Sequence, residues 1–246
     1  MNKRVEIKLC GFTRLEDVFF AANLDIDAMG FVFYAPSPRY VVPDKAAELI
    51  AAAQQQNANI ASVALFVNET ADLVKEIAKF TKIDVLQFHG TESPEYCDAL
   101  SQSLGLPYLK AVHVKPDTNT EDLVKSALPY KNARAILLDT ASSAWGGTGK
   151  SFEWSIVPAS LEPRLVLSGG LSAQNIPEAL RTLKPAALDT SSGIESAKGI
   201  KDAAKMTAFV NAVRQNAVRT FSVPTYSNEV YHHEPIFKPS AGENNR

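Results

Sequence analysis

Eight times along this chain, a short run of β-branched and aliphatic residues gives way to a longer stretch whose apolar residues recur every three or four positions. The short runs read as buried strands and the longer ones as amphipathic helices. Strands are expected at Val5–Cys10, Ala28–Phe33, Ile60–Val67, Val85–His89, Tyr108–Val114, Ala135–Asp139, Leu165–Ser168 and Ala186–Asp189. Helices are expected at Leu15–Leu24, Asp44–Gln56, Ala71–Phe80, Pro94–Leu104, Glu121–Leu128, Ala173–Leu183 and Ile200–Val218, with the sixth position reduced to a weak Phe152–Val157. Thr70, Ser93 and Ser172 stand where helix N-caps belong. Eight strands, each followed by a helix, suit a closed parallel barrel. An open doubly wound sheet usually stops at five or six strands and carries a glycine-rich turn after the first. Here the first strand runs into Leu9-Cys10-Gly11-Phe12-Thr13, which lacks that fingerprint. The expected fold class is α/β, a single (β/α)8 TIM barrel over residues 1–218. Past Val218 the periodicity stops, so 219–246 is expected to be an extended or disordered non-barrel C-terminal tail with no apolar face that needs a partner.

Length and charge agree with that frame. A chain of 246 residues with 46% hydrophobic residues can bury one barrel core. The formal charge of −2 offers no footprint for nucleic acid or an anionic membrane. No apolar run reaches the roughly 18 residues of a membrane span. The two cysteines, Cys10 and Cys97, are too few for a disulfide scaffold, and a cytoplasmic location is expected. An enzyme and a ligand-binding protein both remain open on these grounds.

Chemistry in such a barrel sits at the C-terminal ends of the strands. Side chains alternate between the interior and the helices. Val5, Ile7 and Leu9 therefore make the helix-facing row, and Lys8 and Cys10 point inward, with Cys10 at the mouth. By the same alternation Gln87 and His89 share a face, while Asp139 and Asp189 end the sixth and eighth strands. Each has an ordinary alternative: a small buried hydrophobe for Cys10, a loop cap for Asp139, a core histidine for His89. Their convergence on one mouth favours a site. Cys97 lies within an amphipathic helix and reads as core.

Glycine-rich segments follow the seventh and eighth strands, Ser168-Gly169-Gly170-Leu171 and Thr190-Ser191-Ser192-Gly193. Barrels commonly hold phosphate at these two positions on backbone amides. Phosphate is thus expected at Gly169, Gly170, Ser191, Ser192 and Gly193, although tight turns alone would also explain the glycines. A third segment, Trp145-Gly146-Gly147-Thr148-Gly149-Lys150-Ser151, falls short of a nucleotide phosphate loop because position 144 is Ala. It reads better as a mobile lid. Arg39, held over the mouth by Pro36 and Pro38 in the loop after strand two, is placed to grip a carboxylate, or else is a solvated loop charge. His89, His113 and the pair His232-His233 show no metal-ligand spacing in the barrel, so no metal is expected.

Taken together, Lys8-Leu9-Cys10-Gly11-Phe12-Thr13, Gly30-Phe31-Val32-Phe33 with Ser37-Pro38-Arg39-Tyr40, Gln87-Phe88-His89-Gly90, Leu138-Asp139 with Gly146-Gly147-Thr148-Gly149, Ser168–Leu171 and Asp189–Glu195 resemble the phosphoribosylanthranilate isomerase family, in order, from residue 3 to about 214. Phe88 stands where the family usually has leucine. The resemblance implies an Amadori rearrangement, in tryptophan biosynthesis, of a small phosphorylated substrate. It makes Asp139 the general acid that opens the furanose ring and Cys10 the general base at C2′. Arg39 would bind the anthranilate carboxylate, His89 and Asp189 would contact substrate, and the two glycine loops would hold phosphate. It implies no cofactor, no nucleic-acid or membrane partner, and a monomer or homodimer. The assigned roles require a thiolate and a protonated carboxyl, and inward-facing Lys8 is expected to favour the thiolate. The nearest rival is the histidine-pathway isomerase of the same chemistry, which pairs two aspartates. A non-catalytic phosphate-binding barrel and a nucleotide hydrolase are the others.

Overall fold

The computed structural model describes residues 4–140, 151–217 and 235–238. Eight parallel strands close on themselves in chain order: β1 (Glu6–Cys10), β2 (Ala28–Val32), β3 (Ala61–Phe66), β4 (Val85–Phe88), β5 (Tyr108–Val114), β6 (Ala135–Thr140), β7 (Leu165–Leu167) and β8 (Ala187–Thr190). The connecting helices are α1 (Leu15–Ala22), α2 (Pro43–Gln56), α3 (Ala71–Thr81), α4 (Pro94–Leu104), α5 (Thr120–Ala127) and α6 (Ile176–Thr182). Two short 3-10 turns, Trp154–Ile156 and Ala159–Arg164, replace a helix after β6, where the sequence pattern is weak.

Two layers of core follow from the period of two along each strand. Ile7, Leu9, Phe31, Phe66, Phe88 and Leu138 point outward and join the helices in one large cluster. The inward row is smaller: Ala28, Ala61, Val63, Val85, Leu109, Ala111, Ala135, Leu137, Val166 and Ala187 fill the barrel interior. Fully buried Lys8 also belongs to that row and is in register with Asp189 on β8, to which its ammonium donates at 3.0 Å.

Local signals explain the helix starts and the departures from expectation. Ser93 caps α4 by accepting from the Tyr96 amide at 3.3 Å, and Asn119 and Asp122 form a reciprocal capping box on α5. Thr70 stands at the N-cap of α3 without a side-chain bond. Ser172 does not cap α6, which starts at Ile176 next to Pro177. The Asn175 side chain instead accepts from the Ser172 amide and donates to the Gly170 carbonyl, each at 2.9 Å. The expected helix from Ile200 is also corrected. Glu195–Ala197 (β9) and Ile200–Lys201 (β10) form a small antiparallel hairpin turned at Gly199. Only Ala203–Ala217 (α7) is helical, its first turn held by Asp202, which accepts from the Lys205 amide at 2.9 Å.

The expected lid at Gly146–Gly149 and most of the expected tail lie outside the described residues. Within the tail, Pro235–Lys238 overturns the reading of a loose end without an apolar partner. Ile236 and Phe237 are buried, Phe237 to 1% exposure, in the same cluster as the barrel interior.

Candidate active site

The inward side chains at the C-terminal strand ends meet in one cleft of about 650 Å³. Cys10 ends β1, buried, in register with Gly30 of β2. A Cβ at position 30 would stand 2.5 Å from Cys10 Sγ, so the missing side chain gives the thiol its place. Cys10 packs with Val32, Leu65 and Val67, and Tyr34 closes against them. This makes one wall of the cleft apolar, on the β2–β3 side.

The β4–β6 side is polar. His113 and Asp139 are register partners on β5 and β6. Asp139 Oδ2 lies 3.3 Å from His89 Nε2, and His89 Nδ1 lies 3.0 Å from the Gln87 amide nitrogen. An amide donor at Nδ1 puts the imidazole proton on Nε2, facing Asp139. His113 bonds the His89 carbonyl at 2.8 Å and stacks edge-on against its ring. Burial, then the neighbouring His89, holds His113 below the usual histidine range. The ligand atoms of His89, His113 and Asp139 lie within 4.8 Å of one another, a cluster a cation could use and one that spacing along the chain does not reveal. His89 Nδ1 faces the Gln87 amide and Nε2 faces the Asp139 carboxylate, so Gln87, His89, His113 and Asp139 are linked in one polar cluster.

Backbone and cations shape the β7–β8 end. Gly169 and Gly170 adopt φ of +83° and +65°, a pair of left-handed conformations open to glycine. Thr190 ties the two loops by donating to the Leu171 carbonyl at 2.8 Å. The hairpin β9–β10 brings in Glu195 and Lys201. Glu195 accepts a bidentate pair from Arg39 at 2.8 and 2.7 Å and a third bond from the Lys201 ammonium at 2.9 Å. Lys201 also donates to the Cys10 carbonyl at 2.5 Å.

These pairings set the charges. Burial works against the Glu195 carboxylate, yet the bonds from Arg39 and the charge of Lys201 hold it below its ordinary value. Burial lowers Lys201, whereas Lys8 is held above its usual value by Asp189 and Cys10 despite being fully enclosed. For Cys10 burial wins: the thiol is pushed up even with Lys8 and Lys201 pulling it down. Lys8 does favour the thiolate, as expected, but desolvation of the buried anion outweighs Lys8 and Lys201 together, so the net shift is upward rather than downward.

Of the residues expected at the site, Cys10, Arg39, His89, Asp139, Gly169, Gly170, Asp189, Ser191 and Ser192 all line the cleft. Gly193 does not. It packs behind the loop, where a Cβ would stand 1.9 Å from the Leu171 carbonyl oxygen. The Ser191 hydroxyl is engaged with the Cys10 carbonyl at 2.9 Å. Sequence reasoning missed Glu195 and Lys201 as site residues, along with the Val32, Leu65 and Val67 wall. Strand alternation would have found the wall, since all three follow the inward parity of their strands.

A family model described as N-(5′-phosphoribosyl)anthranilate (PRA) isomerase matches residues 7–212. The chain belongs to the phosphoribosylanthranilate isomerase family. The isomerase of Herminiimonas arsenicoxydans is 48% identical over 218 residues, 87% of this chain and 95% of its own length. Among solved structures, the phosphoribosylanthranilate isomerase of Thermotoga maritima superposes with a TM-score of 0.76 at 35% identity, covering 86% of this chain and 99% of its own. A further crystal structure, of phosphoribosylanthranilate isomerase in complex with reduced 1-(o-carboxyphenylamino)-1-deoxyribulose 5-phosphate, superposes at 0.74 with 33% identity over 86% and 99% of the two chains. Family membership makes this chain an enzyme, an isomerase of tryptophan biosynthesis. It also removes the histidine-pathway isomerase and the non-catalytic barrel as readings. Among the described residues no helix is long and apolar enough to cross a membrane.

Proposed function

We propose that Cys10 and Asp139 are the base and acid with which this isomerase converts N-(5-phosphoribosyl)anthranilate to 1-(2-carboxyphenylamino)-1-deoxyribulose 5-phosphate. Asp139 protonates the furanose ring oxygen, the C1′–O bond breaks, and the anthranilate nitrogen takes up the positive charge as a Schiff base. Cys10 removes the C2′ proton, and the electron pair moves to give the enolamine, which tautomerises to the ketone. No proton or electron is gained or lost overall, so paired proton transfers suffice.

One observation carries the reading: Cys10 of β1 and Asp139 of β6 line the same cleft, between an apolar wall and two glycine loops. The anthranilate ring then lies along Val32, Leu65 and Val67, its carboxylate towards Arg39, and the phosphate at Gly169, Gly170, Ser191 and Ser192. In this arrangement Glu195 holds two of the Arg39 donors, so the substrate carboxylate takes the outer Nη edge. Asp189 holds Lys8 beneath the ribose, and His89 faces the acid. Every one of these residues comes from a single chain, so a monomer and a homodimer would each carry complete sites.

The test is an assay of the purified protein on freshly prepared phosphoribosylanthranilate. Cys10→Ser and Asp139→Asn should each lower kcat by roughly 10²–10⁴-fold with much smaller changes in KM, the usual worth of one acid–base catalyst. Near-normal kcat in either folded variant removes that residue from the mechanism.

A further inference from the structure

The opposite end of the barrel holds a second arrangement that the reaction does not use. Barrel interiors are usually filled by bulky branched side chains. Here the inward positions that open β2, β3, β6 and β8 are Ala28, Ala61, Ala135 and Ala187. Four small side chains at the N-terminal strand ends leave the floor to be filled from outside. Phe237 and Ile236 fill it, packed in one cluster with these alanines and with Val63, Val85, Leu109 and Val166.

Polar groups fix the insertion. Glu6, the inward residue at the floor end of β1, accepts from the Ile236 amide at 2.8 Å and the Phe237 amide at 3.1 Å. The Arg134 guanidinium donates to the Lys238 carbonyl. Two successive N–H groups on one carboxylate, an aromatic ring in an alanine-lined recess and a capped carbonyl make up the recognition of an extended peptide. The family model ends at residue 212, so this segment lies beyond the body shared with the relatives.

We propose that the barrel floor is a peptide-binding socket whose ligand is the chain's own Pro235–Lys238 segment, inserted in cis. The ligand class is a short extended peptide with two adjacent apolar side chains, the second aromatic. α7 ends at Ala217, and 17 residues separate it from Pro235. A connection of 17 residues holds the segment at an effective concentration on the order of millimolar. The plug supplies stability at the face of the barrel remote from the chemistry, so its loss leaves the cleft in place.

The test uses the full-length chain. By hydrogen exchange, the Ile236 and Phe237 amides should exchange at least about tenfold more slowly than in a free peptide of the same sequence. Phe237→Ala should abolish that protection and lower Tm by about 5 °C or more while kcat stays within about twofold, because burial of one large aromatic side chain is lost from a domain of this size. A synthetic peptide covering residues 233–240, added at millimolar concentration to the Phe237→Ala protein, should restore Tm, and the same peptide with alanine at 237 should not. Free-peptide exchange rates in the unaltered chain, or an unchanged Tm in Phe237→Ala, would overturn the proposal. Protection that disappears on dilution would also overturn it, by showing that the segment comes from a second copy.

Discussion

Gly30→Ala tests whether catalysis depends on the position of the Cys10 sulfur rather than only on its presence. The new methyl would stand 2.5 Å from Sγ and 3.1 Å from both Cα and Cβ of Cys10, where ordinary contact begins near 3.4 Å. The backbone of Cys10 is held by its pairing to Gly30 within the β1–β2 ladder, so the thiol must absorb most of a shortfall of roughly 1 Å. A misplacement of about 1 Å at a reacting group costs on the order of 10²-fold in rate. Crowding should also cost about 1–3 kcal/mol of stability, seen as a Tm lower by about 2–12 °C at 2–4 °C per kcal/mol. KM should change little, because the three atoms nearest the new methyl all belong to Cys10. The decisive comparison is a double-mutant cycle: in a Cys10→Ala background, Gly30→Ala should add little further loss of kcat, since the two act through one sulfur. A kcat within about threefold of the parent, or full additivity in the cycle, would refute the reasoning.

Three further outcomes follow from the site. Burial raises the Cys10 thiol, so the ascending limb of kcat/KM against pH should lie above the ordinary thiol value of about 8.5; a limb at or below neutral pH would show that some other group is the base. Gly170→Asp places a carboxylate beside the phosphate loop at a residue with φ of +65°, and KM should rise strongly with little change at the reacting carbons; unchanged affinity for a product analogue would move the phosphate elsewhere. Glu195 is held below its ordinary value, so the stability of its ionised form is complete above about pH 4.5 and is lost as pH falls through the lower folded value. Glu195→Gln should therefore lower Tm at neutral pH and flatten its acid decline; parallel Tm–pH curves would exclude the Arg39–Glu195–Lys201 network as the source.

The order of strands and the identity of the mouth were legible because both rest on short-range rules. A period of two fixes which face each strand residue takes, so once β1 and β6 are recognised, Cys10 and Asp139 must point into the same space. The β9–β10 hairpin gave no such signal. Its strands are three and two residues long, too short for alternation, and Ile200 stands three and four residues before Ala203 and Ala204, at helical spacing. Gly199, with φ of +79°, was the one local sign of a turn. With the hairpin went Glu195 and Lys201, whose partners Arg39 and Cys10 lie 156 and 191 residues away. The charge of Arg39 was readable from the sequence, but the carboxylate that orients it was not.

The Cys10 thiol and the floor segment share a deeper reason for being misjudged: each is decided by what surrounds it rather than by what it is. A lysine two residues away argues for a thiolate in water, where a cation acts with little competition from desolvation. Inside the barrel the same lysine is already paired with Asp189, and the energy of taking a thiolate out of water dominates. Ile236 and Phe237, flanked by Pro235 and Pro239, have no periodicity of their own and read as tail. Their partner was written elsewhere, in the inward alanines that open β2, β3, β6 and β8. A closed barrel in which four of eight strands begin with alanine leaves its floor short of side-chain volume, and Ile236 and Phe237 supply what close packing lacks there.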